Sequence, residues 1–177
     1  RYPVMYMFDG HNVFFDEDAT FGKSWGMNDY MERTGKQLII VGVESNHQGN
    51  CRLSEYSPVT FENAELGKIR GRGSTTMNWM VNELKPYIDE HFRTLPDRRN
   101  TILAGSSMGG LMALYGATAY NSVFQRAACL SPSLWVAPGK VMELIAKARI
   151  RPDTTIYMDY GENEMANHVA SQAVIPS

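Results

Sequence analysis

Cysteine is scarce in this sequence: Cys51 and Cys129 are the only two in 177 residues, and neither belongs to a C-x-x-C or Cys/His ligand spacing. A disulfide framework is therefore not what holds the chain together, and both thiols read as unpaired and inert. Long apolar runs are missing too. No stretch approaches the roughly 18 residues that span a bilayer, and residues 1–20 lack a charged start followed by an apolar segment. The expectation is a soluble, cytoplasmic chain with no membrane partner. Basic residues are scattered apart from Lys68-Ile69-Arg70-Gly71-Arg72 and Arg98-Arg99, and the net charge is -2, so no stripe suits a phosphate backbone and nucleic acid is not an expected partner. Internal repeats and low-complexity linkers are absent as well.

What is present fits one folded unit. Hydrophobic residues make up 44% and charged residues 20%, far from the composition of disorder. The length suffices to bury a core within a single domain, 1–177.

Short continuously apolar runs at residues 3–8 and 37–43 predict buried parallel strands. Between them, residues 24–34 carry Trp25, Met27, Tyr30 and Met31 at helical spacing, with Ser24 as N-cap and Gly35 as the stop. Residues 51–73 lack a period and read as a long surface loop with room for a short helical turn. Residues 74–92 predict an amphipathic helix through Met77, Met80, Val81, Leu84, Ile88 and Phe92, kinked at Pro86. Strands follow at 99–104, 125–130 and 154–159, with helices at 108–120 and 139–149 between them. Such alternation implies an α/β fold: a mostly parallel sheet with helices on both faces.

Gly105-Ser106-Ser107-Met108-Gly109 matches G-x-S-x-G between a predicted strand and a predicted helix, the context in which the pattern means a nucleophile elbow. The pattern alone would arise by chance in roughly one chain of this length in twenty, so the context carries the inference. Side chains at Gly105 or Gly109 would collide in so tight a turn, and Gly110 is read as loosening it further. The turn aims the start of the next helix at the Ser107 hydroxyl, so the Met108 amide can stabilise an oxyanion. A second donor is expected from the loop after an earlier strand, where Asp9-Gly10-His11 offers the amide of His11 or Gly10. For the acid, the fifth strand leads into Asp159, Glu162 and Glu164, among which spacing does not choose.

These residues resemble the putative esterase family of α/β-hydrolases, which includes esterase D, enterochelin esterases and feruloyl esterases. The resemblance runs over nearly the whole chain through residues 2–10, 52–58, 104–110, 130–135 and 159–164. It implies the α/β-hydrolase fold and a serine carboxylic ester hydrolase acting on a small-molecule ester through an acyl-enzyme on Ser107. By the family's spacing the acid is Glu164, with Asp159 and Glu162 as secondary candidates, and Trp135 lines the substrate pocket. By the same resemblance the family's first two strands, its last strand and the segment bearing its catalytic histidine have no counterpart here. Of the four histidines only His168 follows Ser107 and Glu164 in the required order, whereas His47 and His91 read as structural or solvated.

Two other readings stand beside the esterase. One is an acyltransferase of the same fold, since mycolyl-type transferases share the elbow. The other is a truncated or degenerate hydrolase with a non-catalytic binding role. Histidines and cysteines are dispersed and the carboxylates near Asp159 have no partner cluster in sequence, so neither metal nor other cofactor is expected. Unpaired sheet edges make a homodimer the expected assembly.

Overall fold

The computed structural model describes residues 1–161. Among them, seven strands and six helices follow in the order β1 (Val4–Phe8), α1 (Met27–Thr34), β2 (Ile39–Val43), α2 (Cys51–Glu55), β3 (Phe61–Asn63), β4 (Gly67–Ile69), α3 (Gly73–Trp79), α4 (Lys85–His91), β5 (Thr101–Ser106), α5 (Met108–Ala119), β6 (Arg126–Leu130), α6 (Pro138–Lys147) and β7 (Thr155–Asp159). Five strands form one sheet in the order β2-β1-β5-β6-β7, every neighbouring pair parallel. The first strand thus lies inside the sheet between β2 and β5, and the carboxyl ends of all five strands share one edge. In open sheets of this kind that edge is where sites are built.

Alternation along the strands divides the core in two. Val4, Tyr6 and Phe8 of β1, Leu103 of β5, and Ala127 and Cys129 of β6 face the larger cluster, which α5 fills with Met108, Leu111, Met112 and Leu114. Met7, Ala104 and Ala128 face the smaller one, covered by Val13, Phe14 and Met27. Helix α5 is buried almost all round, as expected for a helix packed against the sheet and under neighbours. Its Gly116 sits where a Cβ would fall 2.3 Å from Leu103 Cδ1. Cys129 is fully buried, which pushes its thiol up to about 12 and keeps it from reacting. Among the described residues no helix is long and apolar enough to cross a membrane.

The expected strands and helices are present with shifted ends, and three local differences have identifiable causes. Ser24 does not cap α1: its hydroxyl donates to Asp16 at 2.8 Å, and Gly26 in the left-handed region (φ 61°) precedes the helix. The expected kink at Pro86 takes the form of a π-helical turn, Met80–Leu84, between α3 and α4. Proline has no N–H for the usual i-4 bond and its ring crowds that carbonyl, and the wider turn relieves both. The expected loop at 51–73 holds α2 and an antiparallel hairpin, β3 with β4, and it is not merely superficial: Tyr56, Phe61 and Ile69 are core residues. Among the described residues strands β2 and β7 are the sheet's edges, and on β7 Ile156, Tyr157 and Met158 are each a third or more exposed.

Candidate active site

Strand β5 turns directly into α5 at Ser107, whose φ of 56° and ψ of -119° are strained for a residue with a side chain. Hydrogen bonds from both sides enforce the strain. The Ser107 N–H donates to Leu130 O (3.0 Å), while its own carbonyl accepts from Ser133 N and Leu111 N (both 3.0 Å). Glycines give the turn its space. A Cβ on Gly105 would lie 2.5 Å from the Gly109 carbonyl, and one on Gly109 would lie 2.9 Å from Phe8 Cβ. Gly110 does not loosen the turn as expected from sequence. Its Cβ would fall 2.9 Å from Leu130 O, so this third glycine lets the loop after β6 close onto the helix.

The Ser107 side chain is exposed at the carboxyl edge of the sheet. Its Oγ lies 3.0 Å from the hydroxyl of buried Ser133, a partner that sequence reading did not single out. Met108 opens α5, so its N–H has no acceptor within the helix and is directed with the helix dipole toward this end.

The second amide expected from the β1 loop is Gly10 or His11, and the two have different surroundings. His11 N–H donates to Glu44 Oε2 at 2.8 Å, so it is already engaged. Gly10 packs so closely on β2 that a Cβ would meet Gly42 C at 3.0 Å. Before it, Asp9 occupies the left-handed region (φ 58°, ψ 61°). Its carboxylate, 7% exposed, accepts two bonds from Arg52, Nε at 2.6 Å and an Nη at 2.8 Å. The Asp9 N–H donates to Tyr56 OH (3.3 Å), and that hydroxyl donates to Val43 O (3.0 Å). The loop after β1 is thereby tied to both β2 and α2, beside Gly109.

Ser107, Asp9, His11, His47, Arg52 and Trp25 border one cleft of about 630 Å³. Trp135 is not among its lining residues; its ring packs edge-to-face on Phe61, centroids 6.3 Å apart. Asp159 ends β7 with Oδ1 accepting from Ser131 N–H (3.1 Å) and Oδ2 from Tyr157 OH (3.0 Å). Glu162, Glu164 and His168 lie outside the described residues. Among the described histidines none hydrogen-bonds Ser107: His91 Nδ1 faces Tyr87 O at 2.8 Å, and His11 and His47 both meet Glu44.

Glu44 collects these contacts because β1 and β2 are adjacent and parallel, with Phe8 opposite Val43. Its Oε1 also accepts from Ser45 N–H (2.9 Å). Partial desolvation would raise its carboxyl, but bonds from the His47 ring, the Ser45 amide and both His11 donors together outweigh that and lower it from 4.5 to about 2. A carboxyl lowered by folding adds stability that is complete above about pH 4.5 and is lost as pH falls toward about 2. The melting-temperature gap between wild type and Glu44→Gln is therefore expected to close across that window. Thermal melts at stepped pH check it, and a constant gap would contradict the assignment.

Comparison with known proteins agrees with this architecture. The family model described as "Putative esterase" matches residues 1–175. The Bacillus subtilis protein YbbA is 22% identical over 166 residues, covering 92% of this chain and 62% of that protein. An esterase of Mycobacterium tuberculosis is 30% identical over 126 residues, 71% of this chain and 24% of its own length. The chain thus spans less than two thirds of these relatives. Among solved structures, the BES protein from Bacillus cereus is similar with a TM-score of 0.63 and 28% identity, over 89% of this chain and 61% of that one. An IroE-like serine hydrolase from Shewanella oneidensis gives a TM-score of 0.68 at 21% identity, over 89% of this chain and 50% of that one. The Shewanella neighbour is named a serine hydrolase, and the chain has the α/β-hydrolase fold, whose central sheet is the five-stranded parallel sheet described above.

Proposed function

Because the chain belongs to the putative esterase family, we propose that it is a serine carboxylic ester hydrolase with Ser107 as nucleophile. The observation that carries this reading is the strained, exposed Ser107 at the start of α5, held by Leu130 and Ser133. Strain of this kind persists only where surrounding structure enforces it, and it lifts the hydroxyl clear of the sheet edge.

In the proposed reaction, Ser107 Oγ bonds to the ester carbonyl carbon as its proton passes to a base. The carbonyl oxygen, now anionic, accepts from the Met108 amide and from Gly10, the amide of the β1 loop that Glu44 does not engage. Collapse expels the alcohol, which takes the proton, and water then cleaves the acyl-enzyme by the same steps in reverse order. Glu164 and His168 are this chain's candidates for the acid and base.

Acid-quenched intact mass during turnover of a short-chain p-nitrophenyl ester tests the covalent step. The expected result is a chain heavier by one acyl group, with free acid as the product. Transfer of the acyl group to an added alcohol in preference to water would favour a transferase. No turnover of any ester would sink the hydrolase reading and favour a binding role.

A further inference from the structure

Sequence spacing gives no hint of a metal site, yet folding brings His11, Glu44 and His47 together. One ligand atom from each lies within 4.8 Å of the other two. His11 Nδ1 is 2.9 Å from both Glu44 oxygens, and His47 Nε2 is 2.8 Å from Oε1. The two imidazoles stand edge-to-face, centroids 4.5 Å apart. We propose that His11, Glu44 and His47 bind a divalent transition-metal ion of the zinc type on the wall of the Ser107 cleft.

The donor set is two imidazoles and one carboxylate, a combination that suits zinc and leaves its fourth tetrahedral position open. Bonds of about 2.0–2.2 Å at tetrahedral angles hold ligand atoms about 3.3–3.5 Å apart. The two histidine–glutamate separations, 2.8 and 2.9 Å, need to widen by only about half an ångström. The two imidazole nitrogens already lie within 4.8 Å of each other, and His47, its side chain 55% exposed, is free to make the adjustment. Glu44 is held in place by two backbone amides, His11 N–H on Oε2 and Ser45 N–H on Oε1. Neither bond has to break when a metal replaces the imidazole contacts.

A second, independent feature is the partner of the other His11 nitrogen. Nε2 lies 2.8 Å from Thr20 Oγ1, and Thr20 is itself fixed by donation of its N–H to Asn12 Oδ1 at 2.9 Å. A metal-bound histidine characteristically gives its remaining N–H to such an acceptor, which sets the tautomer and ring direction. The threonine hydroxyl can donate to Nε2 or accept from Nε2–H, so the tautomer that frees Nδ1 for a metal loses no hydrogen bond. Both His11 and His47 line the cleft, so the open position is available to water or to an anionic oxygen of a cleft ligand.

The test is Zn²⁺ affinity of the intact chain by competition with a chromophoric chelator, with the visible absorption of bound Co²⁺ reporting coordination. Wild type is expected to take up one equivalent with the absorption of a four- or five-coordinate site. His47→Ala and Glu44→Gln should each weaken binding at least about 100-fold, and Thr20→Val about 10- to 100-fold. His91→Ala, which changes a histidine bound to the α4 backbone, should leave affinity unchanged. Circular dichroism confirms that each variant is folded. Absence of stoichiometric binding in wild type overturns the proposal, as does binding that survives both His47→Ala and Glu44→Gln or is lost equally in His91→Ala.

Discussion

Ser107→Ala is expected to lower kcat for a short-chain p-nitrophenyl ester by about 10⁴-fold or more, with KM little changed. In the proposed mechanism the Ser107 hydroxyl, which borders the cleft, makes the covalent attack, and the amides assigned to the oxyanion survive its loss. What remains is substrate binding plus a preorganised donor set, which accelerates the reaction only weakly. The fold should persist. Alanine meets the same φ of 56° that serine already tolerates, and the hydrogen bond the substitution removes is the one to Ser133 Oγ at 3.0 Å. Steady-state kinetics beside a thermal melt separate the two effects. A variant that melts like wild type and retains its rate would remove Ser107 from the mechanism.

Arg52→Ala should destabilise the fold by about 3 kcal/mol. Asp9 is almost fully buried and the bidentate guanidinium is its charge partner. Deleting the arginine leaves a carboxylate in a site that cannot solvate it, and the penalty of such an orphan exceeds the worth of the pair itself. The Arg52 side chain is 32% exposed, which places the cost at the lower end of the range for broken buried pairs. Its stacking over the Tyr56 ring, 5.6 Å from the centroid, disappears as well. For a chain of this size the melting temperature should fall by roughly 6–12 °C. Adding Asp9→Asn removes the orphaned charge, so the double variant should be no less stable than Arg52→Ala. A further loss of similar size in the double variant would show that the pair is not coupled. Stability is the readout of choice because Arg52 also borders the cleft and would alter turnover through contact with substrate.

How much of this was legible before folding depends on the distance over which each feature is encoded. The elbow is local: a strand, a glycine on each side of Ser107 and a helix follow one another between Thr101 and Ala119, and the structure has that turn. The parallel sheet was legible from the alternation of short apolar runs with helices. Gly110 shows the limit of local reading, because the atom that excludes a side chain there, Leu130 O, belongs to a different strand. The hairpin of β3 and β4 was missed because three-residue strands are too short to show a period. Its turn carries a quiet signal in Asn63, whose side chain accepts from the Glu65 amide, and in Gly67 at φ 67°.

The His11 cluster was illegible for a topological reason. Glu44 and His47 lie 33 and 36 positions beyond His11, and the three meet only because β1 and β2 run side by side in parallel, so the segments leaving their carboxyl ends emerge together. The same contact engages His11 N–H, which is why Gly10 is the proposed second donor. No spacing rule contains that information. Ser133 is similar: the S-P-S sequence after β6 is visible, but its reach to the end of β5 follows from strand order.

The central claim is that Ser107 is the nucleophile, and the most direct measurement is fluorophosphonate labelling followed by intact mass and peptide mapping. A single adduct on the peptide containing Ser107, absent from Ser107→Ala, is the predicted result. An adduct on a different residue, or a wild-type chain that stays unlabelled while hydrolysing esters, would contradict the account.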